Sequence, residues 1–137
     1  MTTVTKTIKF DAAHLLANHP GLCRNLHGHT YRVDLSVARR DDDGDDMVID
    51  FKDLKQIANE VISARFDHAF ICDGSARIDA ALAETLERSG LRVVRMAARP
   101  TAENMARMFY REIKARIPDL SSVRVWETAD SSAEYRE

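Results

Sequence analysis

Two stretches of this chain alternate apolar with polar side chains, and both alternations run into histidine. In residues 3–14, Ile8, Phe10, Ala12 and His14 share one parity, with Thr7, Lys9 and Asp11 on the other. In residues 29–39, Val33, Leu35 and Val37 alternate with Arg32, Asp34 and Ser36. A period of two is the signature of a half-buried strand, because side chains two apart point to the same side. If the second strand reaches back to the HGH triplet, His27 and His29 also fall on its apolar parity. A third segment, residues 121–127, places Val123, Val125 and Glu127 on one face and Arg124 and Trp126 on the other. Three strands therefore carry a histidine or a carboxylate at the end of a buried stripe, as at the rim of a sheet.

Helical patterns fill the rest. Residues 47–50 continue a strand into a helix capped by Asp50, with Phe51, Leu54, Ile57, Ala58, Val61 and Ile62 as one apolar stripe. A weaker pattern covers residues 78–88 and ends at Gly90. LRVVRM, residues 91–96, reads as a short strand. Thr101 caps a third helix whose Met105, Phe109, Ile113 and Ile117 stack four apart, and Pro118 closes it. The loop between the first two strands holds a Pro-Gly turn. The acidic run 41–46 reads as a solvated hairpin tip, since it lacks the later glutamate of a calcium loop. This order predicts an α+β fold, one domain over residues 1–137, with helices on one face of an antiparallel sheet.

Composition excludes several classes. A formal net charge of -2 advertises neither a nucleic-acid nor a membrane partner. No run approaches the roughly 20 apolar residues of a spanning helix, and MTTVTKTIKF has no signal-peptide core. Two cysteines make a poor disulfide framework, so a reduced cytoplasmic protein is expected.

The histidines point to metal. An H-x-H pair on a strand offers two imidazole ligands from one rigid element, and Gly28 between them permits close backbone approach. His14 or His19 supplies the third; His14 is favoured because a strand fixes it better than a Pro-containing loop. Three imidazoles suit a catalytic zinc with one position open. Cys23 would close that position as a fourth ligand, or stand outside it as base or nucleophile. Cys72 reads as a small buried hydrophobe. Asp67 next to His68 has the makings of a relay in which an Asp orients a His that activates a thiol.

Read together, FDAAH, C-x3-HGH, MVIDFKDLK, FDHAF, PTAEN and WET occur in the order of the 6-pyruvoyl-tetrahydropterin and 6-carboxytetrahydropterin synthases. The chain resembles that family from about Phe10 to Tyr135. The resemblance implies a tunnelling fold, with a four-stranded antiparallel sheet per subunit, helices on one face, and oligomeric closure into a β-barrel as trimer or hexamer. It implies zinc on His14, His27 and His29, with Cys23 as general base outside the shell. It also implies Asp67 and His68 as a proton relay supplied by a neighbouring subunit. Glu127 would anchor the pterin, whose guanidine-like edge presents two N–H donors to one carboxylate. Thr101 and Glu103 would line the same pocket, although Glu103 equally suits the positive end of its helix.

The three-residue gap between Cys23 and His27 resembles the bacterial 6-carboxytetrahydropterin synthases of queuosine biosynthesis; the animal pyruvoyl enzymes carry a longer gap. A related variant with Glu in place of this Cys is argued against by the thiol. The family's Leu-Asn after Asp-His is replaced here by Phe70-Ile71-Cys72, and residues 73–99 form a long segment with no functional reading. The implied reaction is conversion of 7,8-dihydroneopterin triphosphate to 6-carboxytetrahydropterin. The alternatives are a 6-pyruvoyl-tetrahydropterin synthase and a non-catalytic zinc module with Cys23 as fourth ligand.

Overall fold

A computed structural model of the chain describes residues 1–42 and 44–137; Asp43, within the acidic run, lies outside the described residues. Strand β1 (Thr2–His14) pairs antiparallel with β2 (His27–Arg39) along its whole length, from Thr2 opposite Arg39 to His14 opposite His27. The second strand thus begins at His27, and all three expected imidazoles sit at one end of one hairpin. Gly28 lies across from Ala13, and a β-carbon there would stand 3.2 Å from the Ala12 carbonyl oxygen. That close approach is what the glycine of HGH permits.

Beyond β2 the chain forms helix α1 (Phe51–Ala58), a π-type segment (Asn59–Ser63) and the last turn α2 (Ala64–Phe66). Then come β3 (Ala69–Asp73), helix α3 (Arg77–Arg88), β4 (Val93–Met96), helix α4 (Ala102–Lys114), β5 (Leu120–Thr128) and β6 (Ser131–Tyr135). The sheet has six strands in the order β4-β3-β1-β2-β5-β6. The expected four-stranded antiparallel sheet is therefore corrected: β3 pairs parallel with both β1 and β4, and β6 extends the other edge. The β3–α3–β4 crossover is built by residues 73–99, the segment that had no reading.

Packing explains the layers. The inward parity of β1, β2 and β5 (Ile8, Phe10, Tyr31, Val33, Leu35, Val123, Val125) meets Leu54, Ala58, Ile62, Met105, Phe109 and Ile113 from α1 to α4 in one core. Four residues apart on a helix means one stripe, and Met105, Phe109, Ile113 and Ile117 are all buried as expected. A second cluster, Leu15, Phe70, Cys72 and Ala83, lies on the opposite parity of the sheet, where α3 covers it. Helices thus occupy both faces at the β3–β4 end, a correction to the one-sided expectation. Cys72 is the buried hydrophobe expected, its thiol pushed up to about 11, first by burial.

Local expectations divide. Asp50 accepts from the Lys52 N–H at 2.8 Å and caps α1; Thr101 accepts from the Asn104 N–H at 3.2 Å and caps α4. Gly90 takes a positive φ of 77° just past α3. Residues 47–50 are not a strand, and the acidic run joins β2 to α1 rather than tipping a hairpin. Asp41 there binds the N-terminal ammonium and the Thr2 hydroxyl. Phe51 is 53% exposed rather than part of the stripe: as the first helical residue it borders a shallow cavity with Thr2, Val4 and Val48.

Under the rim, Phe10 stacks on Tyr31 at 5.0 Å between centroids, and Phe109 meets Phe66 edge-on at 4.9 Å. This aromatic layer supports the strand ends that carry the histidines. Phe109→Ala leaves a cavity there and is expected to lower the unfolding free energy by about 3–5 kcal/mol, read by denaturant titration; a loss below ~1 kcal/mol would contradict the packing.

Candidate metal centre

The β1–β2 register brings His14 and His27 directly opposite, and His29 lies two residues further along the same face. Their rings form a triangle with centroids 4.6, 5.1 and 5.0 Å apart. Glu127, at the end of the apolar parity of β5, adds a carboxylate: Oε1 stands 2.8 Å from His29 Nε2 and 3.4 Å from His14 Nε2. One donor atom from each of these four residues lies within 4.8 Å of every other. His19 is not among them; its Nδ1 accepts from the Gly21 N–H at 2.9 Å.

The outer nitrogens decide what this cluster fits. His14 Nδ1 lies 2.8 Å from the Pro100 carbonyl, and His27 Nδ1 lies 2.7 Å from the Asn25 carbonyl. A carbonyl oxygen only accepts, so both Nδ1 atoms carry the hydrogen. With Nδ1 so engaged, a ring in its neutral form has a bare lone pair at Nε2, and the two Nε2 atoms are 3.0 Å apart. Two lone pairs at that distance repel unless a cation lies between them. His29 Nε2, beside them, is buried with no well-aligned hydrogen-bond partner. One shared proton does not serve three nitrogens and a carboxylate, whereas a divalent cation does. Tetrahedral zinc with ~2.0–2.1 Å bonds sets its nitrogens roughly 3.3 Å apart, near the separation seen. The donor set therefore fits a divalent metal ion such as zinc, with two of the three imidazoles, His14 and His27, oriented from behind by carbonyls as metal-binding histidines commonly are.

The charge state agrees. Burial is the largest influence on His29 and lowers its pKa from 6.5, outweighing the upward pull of Glu127. In the metal-free protein Glu127 is held below the usual carboxylate range, first by the hydrogen bond it accepts from His14 when that ring carries a proton at Nε2. An ordinary ion pair would raise the histidine; here burial wins, leaving a neutral imidazole, the protonation state of a metal ligand, beside an ionised carboxylate. Tyr31, whose hydroxyl is 3.2 Å from His14 Nδ1, is driven well above its ordinary value by burial and then by Glu127, and stays a neutral phenol.

The other expected residues distribute around this cluster. Cys23 sits in a short 3-10 turn, Leu22–Arg24, half-buried and free, with its carbonyl held by the Leu16 N–H at 2.9 Å. It is not among the converging donors. Asp67 and His68 pair at 2.9 Å between Oδ1 and Nδ1, and His68 is 77% exposed. They belong to another face. His68 lines a groove of about 580 Å³ with Asp11, Ala13 and Thr30, the strand parity opposite to His14, and with Phe70, Leu86 and Arg92, while Ala12 and His29 of the other parity border it too. Thr101 is half-buried at its cap, and Glu103 is exposed on the first turn of α4. PTAEN touches the cluster through the Pro100 carbonyl. Pro100 and Asn25 were missed by sequence reasoning because a main-chain carbonyl leaves no side-chain signature.

The family model for 6-pyruvoyl tetrahydropterin synthase matches residues 3–137. A Haemophilus influenzae protein named 6-carboxy-5,6,7,8-tetrahydropterin synthase is 38% identical over 146 residues, covering 100% of both chains. An Aquifex aeolicus protein of the same name is 31% identical, covering 98% of this chain and 97% of its own. Among solved structures, an uncharacterised Wolinella succinogenes protein superposes with a TM-score of 0.83 at 22% identity, covering 99% of this chain and 98% of its own. The Caenorhabditis elegans 6-pyruvoyl tetrahydropterin synthase superposes with a TM-score of 0.71 at 22% identity, covering 99% of this chain and 95% of its own. Both superpositions establish the shared fold.

The protonation states predict the acid behaviour of metal-free protein. His29 has a folded pKa below 6.5, so its contribution is complete above that value and is lost as pH falls through it. Glu127 has a folded pKa below 4.5, so its contribution goes at lower pH still. Chelator-treated protein is expected to lose unfolding free energy as pH falls below about 6.5 and again below about 4.5. His29→Ala should remove the first loss and Glu127→Gln reduce the second. A flat profile in denaturant titrations would contradict both assignments.

Proposed function

The chain belongs to the 6-pyruvoyl tetrahydropterin synthase family, and we propose that within it the protein is a zinc-dependent 6-carboxytetrahydropterin synthase of queuosine biosynthesis. Family membership makes it an enzyme, a lyase of pterin chemistry. The finer reading takes support from the full-length bacterial relatives named as 6-carboxy-5,6,7,8-tetrahydropterin synthases. It rests on one observation above the others: two imidazole lone pairs facing each other at 3.0 Å, with a free thiol nearby in sequence but outside the donor set. The substrate is 7,8-dihydroneopterin triphosphate; one water is consumed, and 6-carboxytetrahydropterin, acetaldehyde and triphosphate leave.

His14, His27 and His29 hold the zinc, which when bound supplies Lewis acidity toward the side-chain oxygens of the substrate. Glu127 accepts the two N–H donors of the pterin's guanidine-like edge, fixing the ring over the reacting carbons. Thr101 and Glu103 complete that end of the pocket. Cys23 moves protons between ring and side chain, and His68, oriented by Asp67, exchanges a proton with the thiol. Because His68 opens onto the sheet face opposite His14, the dyad serves the thiol of a neighbouring copy. The working form is a homo-oligomer, trimer or hexamer, closing a barrel. Closure also covers the sheet edges at β4 and β6, which pair with nothing in a single chain. No helix among the described residues is long and apolar enough to cross a membrane, which fits work in the cytoplasm.

A 6-pyruvoyl-tetrahydropterin synthase would use the same zinc and thiol but keep the two-carbon fragment, and a closed zinc module would use Cys23 as ligand. Purified protein given 7,8-dihydroneopterin triphosphate is expected to yield the carboxy product and acetaldehyde by mass spectrometry; a pyruvoyl product would reject the assignment. Cys23→Ala should keep about one zinc per chain and lose turnover by roughly 10²-fold or more. Loss of the metal instead would make the thiol a ligand.

A further inference from the structure

The Asp67–His68 peptide is gripped at both ends. Its N–H, that of His68, donates to the Asp11 carbonyl at 2.7 Å. Its C=O, that of Asp67, accepts from Arg92 Nη1 at 2.8 Å. The plane of this peptide fixes how the two side chains meet, because it sets ψ of Asp67 and φ of His68. His68 has φ of 60°, a left-handed backbone that a β-carbon disfavours and that persists only where the surroundings impose it. Asp67 is held in turn by the Asp11 N–H, which donates to Oδ1 at 3.1 Å while that oxygen also takes His68 Nδ1. The groups facing the imidazole are Asp11 from β1, whose carboxylate accepts from the Thr30 hydroxyl at 2.5 Å, then Asp67 itself, and Arg92 at the entry to β4.

Arg92 is itself anchored. Its carbonyl accepts from the Phe70 N–H at 3.0 Å, two residues past His68, so its backbone moves with the strand that leaves the dyad. It arrives through the α3–β4 unit, the part of residues 73–99 that had no functional reading.

We propose that Arg92 is the positioning residue of the Asp67–His68 dyad, its guanidinium holding the peptide between them so that the imidazole stays seated on the carboxylate and aimed into the groove. The crossover unit thereby acquires a part in turnover. This rests on the reading of Asp67 and His68 as the relay, and the part assigned to Arg92 is played through that dyad.

The test uses the full-length oligomer with 7,8-dihydroneopterin triphosphate, comparing Arg92→Met, Arg92→Lys, Asp67→Asn and His68→Ala. Methionine keeps the aliphatic stem and removes the donor. Lysine keeps one donor, which is all the carbonyl receives. Arg92→Met is expected to lower kcat about 10- to 100-fold, as a displaced catalytic group does, with KM within twofold. It should also shift the pH–rate profile in the same direction as Asp67→Asn, and Arg92→Lys should restore both. The direction separates positioning from bulk electrostatics, since deleting a cation alone acts on a neighbouring imidazole oppositely to deleting its carboxylate. Wild-type kcat and profile in Arg92→Met, or a shift opposite to that of Asp67→Asn, would overturn the proposal while slow Asp67→Asn and His68→Ala enzymes keep the relay. Full turnover by His68→Ala would instead remove the relay. A collapsed melting temperature in Arg92→Met that lysine does not restore makes Arg92 merely structural, and also overturns it.

Discussion

The contact between His14 Nε2 and His27 Nε2 governs the rest of this structure. Each ring is turned by a main-chain carbonyl behind it, Pro100 for one and Asn25 for the other, so the hydrogens point away and the lone pairs point together. A fold that lacked a cation for this place would pay for the arrangement in repulsion with no return. The register that creates it runs the length of the β1–β2 hairpin, so a slip of one residue by β2 would turn His27 and His29 to the face away from His14. The apolar parity from Ile8 to Ala12 and from Tyr31 to Val37 prevents that slip, and the core and the metal centre are specified by the same alternation.

This explains which parts of the molecule were legible in the chain. Period-two patterning located β1, β2 and β5 and set His14, His27, His29 and Glu127 at the ends of the apolar parities of their strands. Capping chemistry located α1 and α4 at Asp50 and Thr101. The strands that complete the sheet were only partly legible: LRVVRM read as the short strand that is β4, but β3 and β6 did not show. Ala69–Asp73 is nearly buried on both faces and shows no alternation, as expected of a parallel strand between helix layers. Ser131–Tyr135 is polar enough to read as a tail until β5 is there to pair with it. The roles of Thr101, Glu103 and Cys23 came from family resemblance, because isolated side chains in caps and turns carry no period.

The two faces of the sheet divide the chemistry. One gathers imidazoles, a carboxylate and the aromatic layer beneath them. The other carries Asp11, Thr30 and the Asp67–His68 pair in an open groove roofed in part by α3 and β4. Under the proposed function a relay on one face and a metal on the other become complementary when copies adjoin, and on that reading the mixed six-stranded sheet, with its crossover unit, has a purpose beyond packing.

X-ray absorption at the zinc edge of the reconstituted protein tests the central claim most directly. The account predicts a shell of nitrogen and oxygen only, at ~2.0–2.1 Å, with three imidazoles and one metal per chain. Sulfur scattering at ~2.3 Å would place Cys23 on the metal and contradict it, as would fewer imidazoles than three.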